Sequence, residues 1–89
     1  MLEGAEWLRD HAGRVRGVRV VAEDPAGLRR VATFRLVAGG ELLDGALRLE
    51  SDGRTYVGRL PGPELSPESL QLVHVEIEDR LGNRLRHEF

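Results

Sequence analysis

The run Val73-His74-Val75-Glu76-Ile77-Glu78-Asp79-Arg80-Leu81-Gly82-Asn83-Arg84-Leu85-Arg86-His87-Glu88-Phe89 decides the fold. Apolar side chains alternate with ionic ones, the period of a strand with one covered face, and Asp79 to Asn83 interrupts the pattern with turn chemistry. If those five residues form a type I turn with Gly82 left-handed in a bulge, Ile77 faces Leu85, Val75 faces His87 and Val73 faces Phe89. The other face then sets Glu78 against Arg84, Glu76 against Arg86 and His74 against Glu88. A two-residue turn would place Ile77 across from Arg86 and Glu76 across from His87, mixing the faces. Because a one-residue slip inverts every side chain, the bulged register is the one the sequence specifies.

The same rule works upstream. Asp52-Gly53 reads as a type I′ turn pairing Leu49 with Tyr56 and Leu47 with Gly58 inside, with Glu50–Thr55 and Arg48–Val57 outside. Gly39-Gly40 reads as a two-residue hairpin loop setting Leu36 against Leu43 and Arg35 against Asp44. Strands are also expected over Val18–Ala22, ended by Asp24-Pro25-Ala26-Gly27, and over Arg30–Val37. Glu41–Asp44 and Ala46–Glu50 read as two further strands. Pro61-Gly62-Pro63 ends the strand Thr55–Leu60, a polar loop passes through Ser66-Pro67-Glu68, and Leu70–Asp79 is the longest strand. Seven strands and no helix are thus expected within 17–89. Met1–Arg16 is different: Leu2, Ala5, Leu8, Ala12 and Val15 recur at helical spacing, against Gly4 and Gly13, so a short helix or irregular lead-in is expected there. Trp7 within it is expected to cover part of the module.

Composition narrows the function. Eighty-nine residues make one module, and 40 % hydrophobic with 31 % charged residues is globular rather than disordered. A net charge of −2 argues against a nucleic-acid binder that works by bulk charge. No cysteine is present, so disulfides, thiolate metal sites and a Cys nucleophile are excluded. No apolar run approaches the roughly 20 residues of a membrane span, and Met1–Arg16 is too polar for a signal peptide. All thirteen basic residues are Arg, which points to a GC-rich source genome.

Asp24-Pro25-Ala26-Gly27-Leu28, Val31, Gly39-Gly40, Tyr56-Val57-Gly58-Arg59-Leu60-Pro61 and Val73 through Asn83 together resemble the bacterial immunoglobulin-like and fibronectin type III-like modules. The resemblance covers residues 17–89. It implies an all-β chain: an immunoglobulin-like two-sheet antiparallel β-sandwich of about seven strands, with 17–24 as strand B, 29–37 as C, 54–60 as E and the last hairpin as F and G. Residues 1–16 are then a lead-in or linker, and the first strand comes from within them or from a neighbouring domain or chain. Such modules serve as spacers or interaction domains of surface or secreted proteins, so the resemblance implies an extracellular or periplasmic setting. The partner is then a neighbouring domain or another protein, reached by edge-strand pairing. The alternative is a carbohydrate- or calcium-linked binding module using the loops after strands B, D and F.

Residues that carry chemistry fit that picture. Glu23, Asp24, Asp52 and Asp79 fall in those loops and are the calcium candidates, since calcium takes clustered oxygen ligands. Asp52 and Asp79 also have complete roles as turn residues, and Arg29, Arg54 and Arg80 stand beside the group. His11 lies in the lead-in, while His74 and His87 are expected on opposite faces, His74 solvated and His87 partly buried, so no shared imidazole site is expected. Ser51, Ser66 and Ser69 lack a nucleophile elbow. No catalytic residue, cofactor or metal is therefore expected.

Overall fold

Strands follow the alternating apolar pattern throughout the computed structural model, which describes residues 2–60 and 69–89. The expected Pro61-Gly62-Pro63 stop, the Ser66-Pro67-Glu68 loop and Met1 lie outside those residues. The strands are β1 (Leu2–Arg9), β2 (Val15–Ala22), β3 (Val31–Ala38), β4 (Glu41–Leu49), β5 (Thr55–Arg59), β6 (Leu70–Glu78) and β7 (Arg84–Glu88). All pairings are antiparallel, and the strands form one sheet in the order β1-β2-β5-β4-β3-β6-β7. Among the described residues no helix is long and apolar enough to cross a membrane.

The sheet curls because its covered side chains must meet one another. Val18 and Val20 of β2, Tyr56 of β5, Phe34 and Leu36 of β3 and Val75 and Ile77 of β6 belong to one buried cluster, with Trp7 of β1 packed against its margin. Each such side chain contributes on the order of 1.5–3 kcal/mol by leaving water. β4 joins the two halves unequally: eight of its residues pair with β3, but only Arg48 and Leu49 pair with β5, opposite Val57 and Tyr56.

Register reasoning holds in the closing hairpin, where all five β6–β7 pairs are those the side chains select, from Glu78 against Arg84 to His74 against Glu88. Gly82 has φ +90°, and its N–H donates to the Asp79 carbonyl, as the bulged turn requires. Arg35 meets Asp44 and Leu36 meets Leu43 across Gly39-Gly40, both of which have positive φ. The Arg35 guanidinium grips Asp44 with two bonds, Nε to Oδ1 at 2.6 Å and Nη2 to Oδ2 at 3.1 Å.

Other expectations are corrected. The helix or irregular lead-in expected of Met1–Arg16 is absent: Leu2–Arg9 is a strand, with Trp7 opposite Val18 and Glu6 opposite Arg19. The helical spacing of Leu2, Ala5, Leu8, Ala12 and Val15 ran across a turn into β2, whereas β2 offers Leu2–Arg9 a full ladder to pair with. Asp10-His11-Ala12-Gly13-Arg14 builds the same turn as Asp79 to Asn83, with Asp10 Oδ1 accepting from Ala12 N and Arg14 N and Gly13 at φ +79°.

Glu41–Asp44 and Ala46–Glu50 are not separate strands. β4 continues through Gly45, which lies opposite Phe34 and leaves room for its ring. The count of seven is therefore reached with β1 included, not within 17–89. The Asp52-Gly53 turn is not type I′, because no non-glycine residue has positive φ; Gly53 N–H instead donates to the Glu50 carbonyl at 3.1 Å, making a bulged turn that leaves the register unchanged. Leu47 and Gly58 are not ladder partners, since β4 has turned away by then, although a Leu47 methyl remains beside Gly58.

Burial along the last hairpin also differs. His74 is buried, with Arg86 Nη2 3.1 Å from its Nδ1, while His87 is exposed. Leu85 and Phe89 are exposed as well, because β7 is the outermost strand and none of the described residues covers its apolar side.

Candidate functional site

The three loops expected to gather do so. Arg80 N–H donates to the Gly27 carbonyl at 3.1 Å, Leu49 N–H to Arg30 O at 2.7 Å and the Tyr56 hydroxyl to Arg29 O at 2.6 Å. These bonds tie 23–30 to the ends of β4, β5 and β6. Yet the carboxylates brought to this end are each engaged in their own turn. Asp24 Oδ1 accepts from Ala26 N, Asp52 from Arg54 N, Thr55 N and the Thr55 hydroxyl, and Asp79 from Leu81 N, Asn83 N and Asn83 Nδ2. Glu23 is exposed at the edge of the group. Among the described residues no three Asp, Glu, His or Cys side chains are placed to hold a metal ion.

Those bonds shift the acids. The Thr55 hydroxyl, with the N–H groups of Arg54 and Thr55, holds the Asp52 carboxyl down at about 2. Asp79 is lowered from the ordinary carboxylate value as well, chiefly by the Asn83 amide and then by the Asn83 N–H, against the opposing effect of burial. A group whose folded value lies below its unfolded one adds stability above the unfolded value, near 4, and loses it as pH falls toward the folded value. The urea midpoint is therefore expected to be level from neutrality to about pH 5 and to fall between about pH 4 and 2. Asp52→Asn should flatten part of that fall; an identical acid profile in the variant would show that Asp52 does not carry it.

The remaining candidates are not brought together. His11 is exposed in the β1–β2 turn, Ser51 is exposed in the β4–β5 turn, the carbonyl of Ser69 accepts from Gly39 N, and Ser66 lies outside the described residues.

What the loops do build is a trough on the outer side of the sheet. One end is lined by Ala46, Arg48, Val57 and Arg59, the middle by Val31, Leu49 and Glu50, and the far end by Arg30 and Arg80. Its end at β4 and β5 encloses about 580 Å3 and is open to solvent along its length. The trough exists because β4 departs from β5 after two pairs, leaving a fork in the outer face. Val31 stands in the middle at 58 % exposure, on the face opposite the buried Ala32 and Phe34. Cross-strand pairing fixes the order of the outer row, with Val31 beside Arg48, Arg48 beside Val57 and Val57 beside Arg19.

The arginines of the trough differ from most of those elsewhere. Arg16, Arg19, Arg29, Arg35, Arg54, Arg84 and Arg86 each have a carboxylate within ion-pair distance. Among the described residues, Arg30, Arg48, Arg59 and Arg80 have none, and all four line the trough, with Glu50 the one acid in its wall; Arg9, whose Nη1 donates to the Gly13 carbonyl beside the β1–β2 turn, also has none. Arg80 is set in place by Gly27, where a Cβ would stand 3.2 Å from Arg80 Cδ and Nε. Sequence reasoning did not single out this set, although a signal existed. In the closing hairpin every outer pair is complementary, whereas across Asp52-Gly53 Arg48 is set against Val57, a cation with an apolar partner.

Comparison of the chain with protein-family models, with curated proteins and with solved structures returns no match.

Proposed function

We propose that the chain is an immunoglobulin-like β-sandwich module that acts without catalysis as a protein-interaction domain, or as a spacer, within a larger bacterial protein. The observation that carries this reading is the strand order β1-β2-β5-β4-β3-β6-β7. It is the order A-B-E-D-C-F-G of such a sandwich, with β1, β2 and β5 as one layer, β3, β6 and β7 as the other, and β4 passing between them. On this reading β1 is the first strand, which the resemblance had left to either this segment or a neighbour.

The outer strands support an interaction role. Phe89 N–H donates to Val73 O, so alternation turns the backbone of Arg84, Arg86 and Glu88 away from β6, along the free edge of the sheet. Charged side chains at all three positions deter indiscriminate pairing while leaving the edge open to a complementary strand. Display selection of random peptides on the immobilised domain tests the reading. An interaction module is expected to enrich a consensus whose binding moves amide resonances of one contiguous patch. Selection that enriches nothing over successive rounds would overturn the interaction role and leave that of a spacer.

A further inference from the structure

We propose that the trough binds an acidic, extended peptide segment with a branched apolar side chain at its centre. This rests on the interaction reading and adds the chemistry of the partner. Three observations converge on it. Four arginines without a carboxylate within ion-pair distance among the described residues, Arg30, Arg48, Arg59 and Arg80, line the trough, so cations that lack internal compensation are concentrated on one concave surface. Guanidinium groups suit carboxylates, because their fork matches the two oxygens and their hydration is weak enough to be displaced. Between the cations lies an apolar strip: Val31, more than half exposed, with Val57 and Leu49 beside it. A partner that supplied only negative charge would leave that strip wet, whereas one with an apolar anchor between acids covers both kinds of surface.

Geometry sets the form of the ligand. The trough is long and open rather than enclosed, which suits a length of extended chain better than a small molecule held on all sides. Arg30 and Arg80 stand at one end and Arg48 and Arg59 toward the other, so acids on both sides of a central Val or Ile have cations to meet. Polyanions such as nucleic acid are disfavoured. The chain carries a net −2, and Glu50 projects a carboxylate into the wall, so the attraction is local to the trough and not a field that tracks a phosphate backbone.

The test uses a fluorescein-labelled peptide Glu-Glu-Val-Glu-Glu, its neutral counterpart Gln-Gln-Val-Gln-Gln, an acidic peptide with Gly at the centre, and an oligo-dT of eight nucleotides. Binding is read by anisotropy and by amide resonances of the 15N-labelled protein. The acidic Val peptide is expected to bind at least tenfold more tightly than the neutral one and severalfold more tightly than the Gly one, with shifts centred on Val31, Arg48 and Val57. The double variant R48E/R80E should weaken it at least tenfold, and R48A alone by less. R84E, on the last strand and outside the trough, should leave it unchanged. Circular dichroism melts of each variant separate loss of binding from loss of fold. Equal affinity for acidic and neutral peptides, an R84E effect as large as that of R48E/R80E, or tighter binding of oligo-dT would each overturn the proposal. If a display-selected peptide binds elsewhere on the sheet while Glu-Glu-Val-Glu-Glu does not bind, the trough is discarded and the interaction role stands.

Discussion

Phe34→Ala is expected to destabilise the domain by about 3–5 kcal/mol, a large part of the roughly 5–15 kcal/mol available to a small domain. The ring is 1 % exposed and sits across from Gly45, where a built Cβ would come within 2.6 Å of Phe34 Cε1. The aromatic side chain thus covers a glycine in the middle of a strand, filling the space that its missing side chain leaves. Removing the ring exposes two defects at once, a cavity in the core and a bare backbone in β4. The partner substitution gives the sharper test. Gly45→Ala alone should cost about 1–3 kcal/mol, because its methyl meets the ring. With Phe34→Ala already present it should cost far less or be favourable, because the ring is gone and alanine restores some contact. Urea unfolding of the four proteins measures the coupling, which should exceed about 1 kcal/mol for residues in contact. Strict additivity would mean that the ring does not rest on Gly45.

Gly58→Ala should be the most damaging of the glycine substitutions within the strands, at about 1–3 kcal/mol or more. A Cβ at Gly58 would collide with the carbonyl oxygen of Ala46, and one at Gly17 with the carbonyl oxygen of Gly58. Backbone atoms cannot step aside as a side chain does, so in Gly58→Ala β5 and β4 would have to move apart where β4 swings across toward β3. The loss should be local as well as global. Amide exchange at Arg48 and Val57, the last pair joining β4 to β5, should accelerate more than exchange in the β6–β7 hairpin. Gly4→Ala is the control, since nothing lies within 4 Å of its built Cβ. If both substitutions lowered the urea midpoint equally, close approach at Gly58 would not be the reason for its glycine.

Pairings within hairpins were legible because turn geometry and face alternation are both local. Arg35 with Asp44 and the five pairs of the closing hairpin needed only residues a few positions apart. Where the reading failed, the deciding partner was distant or the signal was shared. β1 looked helical because Ala5 suits either structure and the apolar spacing ran on through Ala12 in the turn, and its strand character comes from Val18 and Val20, which it pairs with but does not predict. The signature that reveals it, Asp10-x-x-Gly13, is the same as Asp79-x-x-Gly82. Gly45 read as a break because Phe34, its reason for being glycine, lies across the sheet. The exposure of Leu85, His87 and Phe89 depends on β7 being outermost, which no period-two pattern encodes. The trough was half legible. Arg48 against Val57 was written in the register, but the gathering of Arg30, Arg59 and Arg80 around Val31 needed the long-range order of strands.

That order has a kinetic consequence. Four of the six ladders join neighbours in sequence, but β2 with β5 and β3 with β6 bring together residues as far apart as Gly17 and Arg59 or Thr33 and Glu76. Such closures restrict long stretches of chain before any contact rewards them, which places the slow step of folding at these two seams and assembly in the millisecond-to-second range of all-β domains. Until they form, the nascent hairpins present their oily sides to other copies, so the interval before closure is when the chain is most exposed to clumping.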